Sequence, residues 1–96
     1  MRFGNVNEGV KKDFQEVAKE HVVAYFNVES EHTETYGRLH PEEVYVVWFC
    51  YILGGWKALL STTVPDDMYY EVTYNKINEE TYLDAYKKVD NRVLPD

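Results

Sequence analysis

The stretch 44–73 reads VYVVWFCYILGGWKALLSTTVPDDMYYEVT and predicts three consecutive β-strands. Its first strand, Val44–Leu53, is apolar on both of its faces, whereas a half-buried strand alternates apolar with polar residues. The Gly54-Gly55 pair predicts a two-residue hairpin turn into a second strand, Trp56–Val64. The first strand therefore needs cover on two sides, and the rest of the chain has to supply that cover.

A third and a fourth strand are expected after this hairpin. The turn composition of Pro65-Asp66-Asp67 leads into a third strand, Met68–Tyr74. Alternation and tyrosines in Thr81–Val89 favour a fourth strand, although the helix formers of this segment leave a short terminal helix as the alternative. For the strand we expect a register that sets Tyr86 opposite Glu71, because an aspartate there would make a pair of like charges.

The predicted hairpin turn assigns the side chains of the first two strands to two faces. It sets Tyr51 opposite Ala58 and Phe49 opposite Leu60, on the face that we expect a helix to cover. The reverse face then carries, in chain order, Val44, Val46, Trp48, Cys50, Ile52, Lys57, Leu59, Ser61 and Thr63.

One amphipathic helix is expected before the sheet, over residues 9–27, because apolar residues recur there at three- and four-residue steps. Asn7 is the expected N-cap and Asn27 the expected stop. Residues 1–8 are predicted to be a loose start, and the polar residues 28–43 a surface loop. The predicted fold class is α+β: one N-terminal helix packed on a three- to four-stranded antiparallel β-meander, in a single domain.

One helix can cover only one face of this sheet, so the reverse face is expected to expose apolar side chains. The first strand also lies at the edge of a simple meander and carries no Lys or Pro to prevent further pairing. Cover could come from the 28–43 loop, from the terminal segment paired beside the first strand, from another copy of the chain or from a different protein. A large exposed apolar patch marks an interaction site. Its expected contact residues are Trp48, Ile52, Leu59, Tyr69 and Tyr86.

Composition narrows the classes of partner. The 96 residues carry a formal net charge of −7 and are 45% hydrophobic, so the chain is expected to fold and to avoid nucleic-acid phosphates. The N-terminal sequence lacks the apolar core of a signal peptide, and the longest apolar run, about ten residues, is too short to span a bilayer. The single cysteine, Cys50, rules out an internal disulfide and fits a reducing compartment. From these features together we expect a cytoplasmic protein that binds no membrane.

Residues with catalytic or metal-binding chemistry are present but form no recognisable motif, so no enzyme activity, cofactor or metal is expected. His21 is predicted on the inner stripe of the helix, where a packed histidine is more common than a ligand. His32 and His40 lie in the polar loop among glutamates, which leaves a carboxylate–histidine site there as a minor alternative. Cys50, inside an apolar strand, is predicted to be a small buried hydrophobic residue.

Three segments between residues 44 and 88, VYVVWFCYIL, KALLSTTVPDDMYYEVTYN and YLDAYKK, resemble a family of small uncharacterised proteins. These proteins are encoded by tailed phages and prophages of Gram-positive bacteria. The resemblance extends back to VAKEHVVAYFN in the predicted helix and is densest in residues 57–75. It implies expression inside an infected or lysogenic host cell, and it implies no activity or functional residue.

The leading functional hypothesis is a non-enzymatic phage accessory protein that acts through protein contacts, as a homo-oligomer or as a binder of a host protein. The alternative is an acidic inhibitor that occupies the nucleic-acid-binding site of a host or defence enzyme, through the carboxylates of 29–43 and Glu79-Glu80. A small enzyme is the third hypothesis. Contacts of the acidic inhibitor would weaken steeply with salt, whereas apolar contacts would not.

Overall fold

The computed structural model describes residues 13–29 and 31–95, which form one long helix packed on a four-stranded antiparallel sheet. The strand order is β1-β2-β3-β4, so β1 and β4 are the two edges. The predicted α+β meander is confirmed in its four-stranded form. In chain order the elements are helix α1 (Phe14–Val28), the short helix α2 (Thr33–Tyr36), a 3₁₀ turn (Pro41–Glu43), and strands β1 (Val44–Ile52), β2 (Gly55–Thr62), β3 (Met68–Asn75) and β4 (Glu80–Lys87).

Helix α1 begins later and ends later than predicted. Asp13 is its N-cap, and the Asp13 carboxylate accepts a hydrogen bond from the backbone N–H of Gln15 at 3.0 Å. The earlier cap expected at Asn7 and the first predicted turn lie outside the described residues. The helix continues to Val28, so the prediction that Asn27 ends it is wrong. The side chain of Asn27 instead has a tertiary contact, described below.

The core lies between α1 and one face of the sheet. Ala18, Val22 and Phe26 follow one another at four-residue steps, and all three are fully buried. Near the start of the helix, aromatic rings stack in series: Phe14 on Trp56, and Trp56 on Phe49, with centroids 5.7 and 5.6 Å apart. The remaining buried apolar residues are Leu39, Val44, Ala58, Leu60, Tyr70 and Val72.

The β1–β2 turn differs by one residue from the predicted turn. Leu53 and Gly54 form it, and Gly55 is already the first residue of β2, paired with Ile52. Gly54 has φ +83°, which disfavours any residue with a side chain. Gly55 is required for a different reason: a Cβ there would lie 1.8 Å from the carbonyl oxygen of Tyr74. Gly55 is therefore needed because the backbone of β3 lies too close to β2 at this position for a side chain to fit.

This shift changes the register of the hairpin. Tyr51 lies opposite Trp56 and Phe49 opposite Ala58, so the predicted pairs are wrong by two residues, although the faces are kept. A β-bulge then interrupts β1 between Val46 and Trp48.

The bulge returns the start of β1 to the covered face. Val46 lies opposite Leu60, and Val44 opposite Thr62, so the prediction that these two valines belong to the reverse face is wrong. The physical reason is that one extra residue inverts the alternation of side chains for the part of the strand before it.

Strand β3 lies where the pattern predicts, with Tyr70 opposite Leu60 and Val72 opposite Ala58, all four buried. The fourth segment is a strand, so the helical alternative for it is wrong, and the strand ends at Lys87.

The predicted β3–β4 register is also wrong, because Glu71 lies opposite Asp84. The turn decides this register: the Asn75 carboxamide oxygen accepts hydrogen bonds from the N–H groups of Ile77 and Asn78 at 3.0 and 3.3 Å. Lys57 of β2 reduces the repulsion between these two carboxylates, because its ammonium group lies 3.6 Å from the Glu71 carboxylate.

The polar segment after α1 is held to the rest of the fold by several side-chain hydrogen bonds. The Asn27 side chain donates to the backbone oxygen of Leu39 at 3.0 Å and accepts from the Leu39 N–H at 2.8 Å. Leu39 is buried in the core cluster. Farther along, the Tyr36 hydroxyl donates to the Pro65 carbonyl at 3.4 Å. The segment therefore packs at the end of the sheet that holds the β2–β3 connection.

Within the described residues, no helix has the length and apolar character needed to cross a membrane.

Tyr70 makes the stability of this fold sensitive to alkaline pH. Burial, with a smaller contribution from the Asp66 carboxylate, raises the pKa of Tyr70 from 10.0 to about 12. Below pH 10 the Tyr70 phenol is neutral in both the folded and the unfolded chain, so it does not make the free energy of unfolding depend on pH there. Between pH 10 and 12 only the unfolded chain ionises at this position, and the free energy of unfolding falls by up to about 2–3 kcal/mol.

We expect Tyr70→Phe to remove this part of the pH dependence, as measured by urea unfolding from pH 7 to above pH 11. Tyr45→Phe, at an exposed tyrosine, is the control. Parallel profiles for the wild type and Tyr70→Phe would show that the Tyr70 phenol titrates equally in both states.

Candidate functional site: the open face of the sheet

The face of the sheet opposite α1, called the open face below, follows from the cross-strand pairs. Residues directly opposite each other in an antiparallel ladder share a face. The open face carries Tyr45, Trp48, Cys50 and Ile52 of β1, Lys57, Leu59 and Ser61 of β2, Tyr69, Glu71 and Thr73 of β3, and Tyr82, Asp84 and Tyr86 of β4.

The structure brings all five predicted contact residues to this face. Trp48 and Leu59 are directly opposite each other, and so are Tyr69 and Tyr86. Ile52 lies at the hairpin end of β1. Trp48 is 41% exposed, Ile52 40% and Tyr86 52%, while Leu59 and Tyr69 are half-buried between neighbours. Large apolar side chains therefore reach solvent on the open face.

A charged strip separates these residues into two groups. Glu71 lies between Leu59 and Asp84 in one cross-strand row, with Lys57 paired to it diagonally. The Tyr86 hydroxyl donates to the Glu71 carboxylate at 3.4 Å, and the nearby negative charge of Glu71 raises the pKa of Tyr86. The tyrosine side of the open face is thus amphipathic, and the continuous apolar part lies along β1.

Strand β1 presents both its open face and its outer edge. From Val44 to Leu53 it carries no charged residue and no proline, the usual devices that block pairing at a sheet edge. Cys50 is exposed between Trp48 and Ile52, so the prediction that it is buried is wrong. The reason is that α1 covers only the other face of this strand.

Two of the internal covers considered for β1 do not form. The terminal strand pairs with β3, and the loop after α1 packs at the end of the sheet, against Pro65 and Asp66. Across residues 13–29 and 31–95, β2 is the one strand that pairs with β1. The apolar edge segment Trp48–Ile52 therefore keeps an accessible side in the described part of the chain.

The histidines do not assemble the site considered for the polar loop. The Nδ1 of His32 lies 2.7 Å from the carboxylate of Asp66, which also accepts from the Met68 N–H at 3.2 Å. This pair borders a shallow polar groove of about 310 Å³. The His40 N–H donates to the carboxylate of Glu43 at 2.8 Å and thereby orders the 3₁₀ turn.

The structure offers no cluster of metal ligands in its described part: no three His, Cys, Asp or Glu side chains there are grouped to hold an ion. His21 is exposed, so its predicted place on the inner stripe is wrong. The buried stripe runs through Ala18, Val22 and Phe26, and His21 falls beside it.

The two acidic groups considered for an inhibitor lie at opposite ends of the sheet. Residues 29–43 contact the β2–β3 connection through His32 and Tyr36. Glu79 and Glu80 lie at the β3–β4 turn, beside the β1–β2 turn, where the Lys76 N–H donates to the Gly54 carbonyl. They do not form one acidic surface.

Sequence reasoning assigned one residue of the open face, Tyr45, to the wrong face and predicted the wrong burial for another, Cys50. Tyr45 is 47% exposed and lies opposite Ser61, but the predicted register placed it under the helix. Cys50 was predicted buried. The bulge that moves Tyr45 has no sequence signal apart from the doubled valine at 46–47, which fits a strand equally well without a bulge.

No curated protein and no solved structure matches this chain. The model of one family, described as a family of unknown function (DUF6275), matches residues 15–96. The match spans α1 and the whole sheet.

Proposed function

The chain belongs to the family of unknown function DUF6275, and from its surfaces we propose that it is a non-enzymatic protein that acts by protein–protein contact. The contact surface is the β1 side of the open face, with Trp48, Leu59 and Ile52 as apolar anchors and Tyr69 and Tyr86 at its rim. The observation that carries the proposal is the uncharged strand β1, exposed along one face and one edge.

Trp48 and Tyr45 keep apolar surface in water that a partner could cover. Aromatic side chains each bury about 150–250 Å² when fully covered. Trp48 and Tyr45 are 41% and 47% exposed, so covering the rest of each side chain would add roughly 2 kcal/mol of stabilisation. Interfaces are enriched in tryptophan and tyrosine, with half-buried neighbours that exclude water around them. The row of Trp48 and Leu59, flanked by Tyr45, has this arrangement.

The proposed setting is the cytoplasm of an infected or lysogenic Gram-positive host cell, which the resemblance of residues 44–88 to phage and prophage proteins supports. The separation of the two acidic groups favours contact through the apolar strand over an acidic mimic of nucleic acid. Salt distinguishes the two, because carboxylate contacts weaken steeply with ionic strength.

We expect Trp48→Arg to reduce the affinity for a protein partner by about tenfold or more, because an anchor is replaced by a charge inside a desolvated contact. The measurement is quantitative retention from a lysate of the natural host, at low and at high salt. Val28→Arg is the matched control, since Val28 is 76% exposed at the end of α1, beside Leu83 of β4 at the opposite edge of the sheet.

Retention that Trp48→Arg and Val28→Arg reduce equally would contradict the proposed surface. Retention that both variants preserve, but that high salt abolishes, would favour the acidic inhibitor instead.

A further inference from the structure

The backbone direction of β1 can be read from one hydrogen bond of the neighbouring strands. The Lys76 N–H donates to the Gly54 carbonyl, so the backbone groups of Gly54 face β3. Successive residues of a strand direct their N–H and C=O groups to opposite sides. Gly55 therefore faces β1 and bonds to its partner Ile52, as expected for the residues that flank a two-residue turn.

Alternation along β1 then assigns each remaining residue. Like Ile52, Cys50 and Trp48 direct their N–H and C=O groups toward β2. The backbone groups of Phe49 and Tyr51 point to the outer edge of the sheet, where the described residues place no strand. These outward groups are a template for one more antiparallel strand.

The regular part of this edge has two defined ends. The bulge between Val46 and Trp48 ends it on one side, and the Leu53-Gly54 turn ends it on the other. Trp48–Ile52 is therefore the unit that can pair, and Cys50 is its middle residue. Two antiparallel copies of this segment overlap completely only when Cys50 of one lies opposite Cys50 of the other.

We infer that a second copy of this chain is a partner of β1, paired antiparallel through Trp48–Ile52 with a two-fold axis at Cys50. The inference rests on the proposed function and names the partner of its contact surface. In this pairing, Phe49 of one chain forms two backbone hydrogen bonds with Tyr51 of the partner subunit. The two-fold axis generates the same two bonds between Tyr51 of the first chain and Phe49 of the partner subunit. The two sheets become one continuous sheet.

The side chains of the segment are self-complementary in this register. Trp48 lies opposite Ile52 of the partner subunit on the open face, and Phe49 lies opposite Tyr51 of the partner subunit on the helix face. The first pair joins an aromatic to a β-branched residue and the second joins two aromatics, and both kinds stabilise antiparallel ladders. The segment is uncharged, so two chains of formal charge −7 meet without like charges directly opposite each other.

The area sets the strength of this contact. Tyr51 is 73% exposed, and with Trp48 and Ile52 it offers roughly 300 Å² of side-chain surface per chain, or roughly 600 Å² for the pair. Backbone and flanking side chains add to this, and the total stays at the low end for specific interfaces. We therefore expect a reversible dimer with a dissociation constant in the micromolar range, strengthened by salt because salt screens the net charge.

Sedimentation velocity from about 1 to about 200 µM tests the dimer, with a shift from monomer to dimer as the expected result. Cys50→Lys places two ammonium groups opposite each other at the axis and should raise the dissociation constant about tenfold or more. Tyr82→Lys, the same charge change on the same face at the opposite edge of the sheet, should leave it unchanged. Thermal unfolding of each variant confirms that the monomer is folded.

Disulfide cross-linking tests the register. Opposed residues in a non-hydrogen-bonded pair have Cα atoms about 4.5 Å apart, within the range that a disulfide spans. With copper–phenanthroline as the oxidant, the wild type should therefore form a covalent dimer through Cys50. The double variant Cys50→Ala/Val28→Cys, with its thiol at the exposed end of α1 beside β4, should cross-link at least about tenfold more slowly.

A chain that stays monomeric at the highest concentration overturns the inference, and so does a dimer that Cys50→Lys leaves intact. Equal cross-linking rates for the two thiols overturn the register. If the chain is monomeric while Trp48→Arg still abolishes retention of a host protein, self-pairing is refuted and the proposed function stands. If neither behaviour is found, both are refuted.

Discussion

Gly55→Ala is expected to prevent the sheet from forming. The added Cβ would lie 1.8 Å from the Tyr74 carbonyl oxygen and 2.9 Å from its carbonyl carbon. Overpacking against side chains costs about 1–3 kcal/mol, because side chains can rotate away. Here the obstacle is the backbone of β3, which can move away only by breaking its pairs with β2 and β4 near that end of the sheet. We expect a loss of about 4 kcal/mol or more, a large part of the stability of a domain this size.

Gly54→Ala is the matched control for this prediction. The two glycines are adjacent, but a Cβ at Gly54 would meet only the Ile77 side chain, at an ordinary 3.5 Å. Its cost comes from the positive φ of +83° and is about 1–2 kcal/mol. Urea unfolding followed by tryptophan fluorescence measures both variants. Equal losses for the two would show that the β2–β3 approach is looser than the structure has it.

Asn27→Ala is expected to release the loop that follows α1. The variant removes both hydrogen-bond partners of the Leu39 backbone, and Leu39 is 2% exposed, so water cannot replace them without opening the core. An unsatisfied buried polar group costs about 1–3 kcal/mol, so the expected loss is about 2–4 kcal/mol. Amide hydrogen exchange should also rise over residues 31–43, before the sheet exchanges.

Two further variants provide reference values for the stability loss of Asn27→Ala. Asn27→Asp keeps an acceptor for the Leu39 N–H but loses the donor to its carbonyl, so an intermediate loss is expected. Asn91→Ala, in the exposed C-terminal segment, should change stability by less than about 0.5 kcal/mol. A loss for Asn27→Ala no larger than that of Asn91→Ala would mean that Leu39 packing and the His32 and Tyr36 contacts hold the loop without the Asn27 hydrogen bonds.

The fold class could be predicted because it depends on local patterns. Alternation in Met68–Asn75, the helical period of Phe14–Val28 and turn residues at Pro65-Asp66-Asp67 each act over a few residues. The expectation that one helix leaves one sheet face exposed needed only a count of elements. Trp48 and Ile52 are exposed accordingly in the described part of the structure.

Register could not be predicted in the same way, because it depends on contacts between distant residues. Charge repulsion suggested that Glu71 would avoid Asp84, but the Asn75 turn imposes that pair and Lys57 offsets it. Lys57 lies beside the partly buried Glu71, and Asp84 is exposed, so the repulsion between the two carboxylates is about a fraction of a kcal/mol. That is smaller than the cost of rebuilding a hydrogen-bonded turn.

By itself, the sequence determined that this protein has an amphipathic helix, an antiparallel meander and an uncharged first strand, since hydrophobic period and turn chemistry are properties of neighbouring residues. Only the tertiary structure decided that β1 bulges between Val46 and Trp48, that Tyr45 therefore lies on the open face and that Gly55 cannot carry a side chain. Each of these depends on how closely one backbone approaches another across the sheet, a distance that no local pattern specifies.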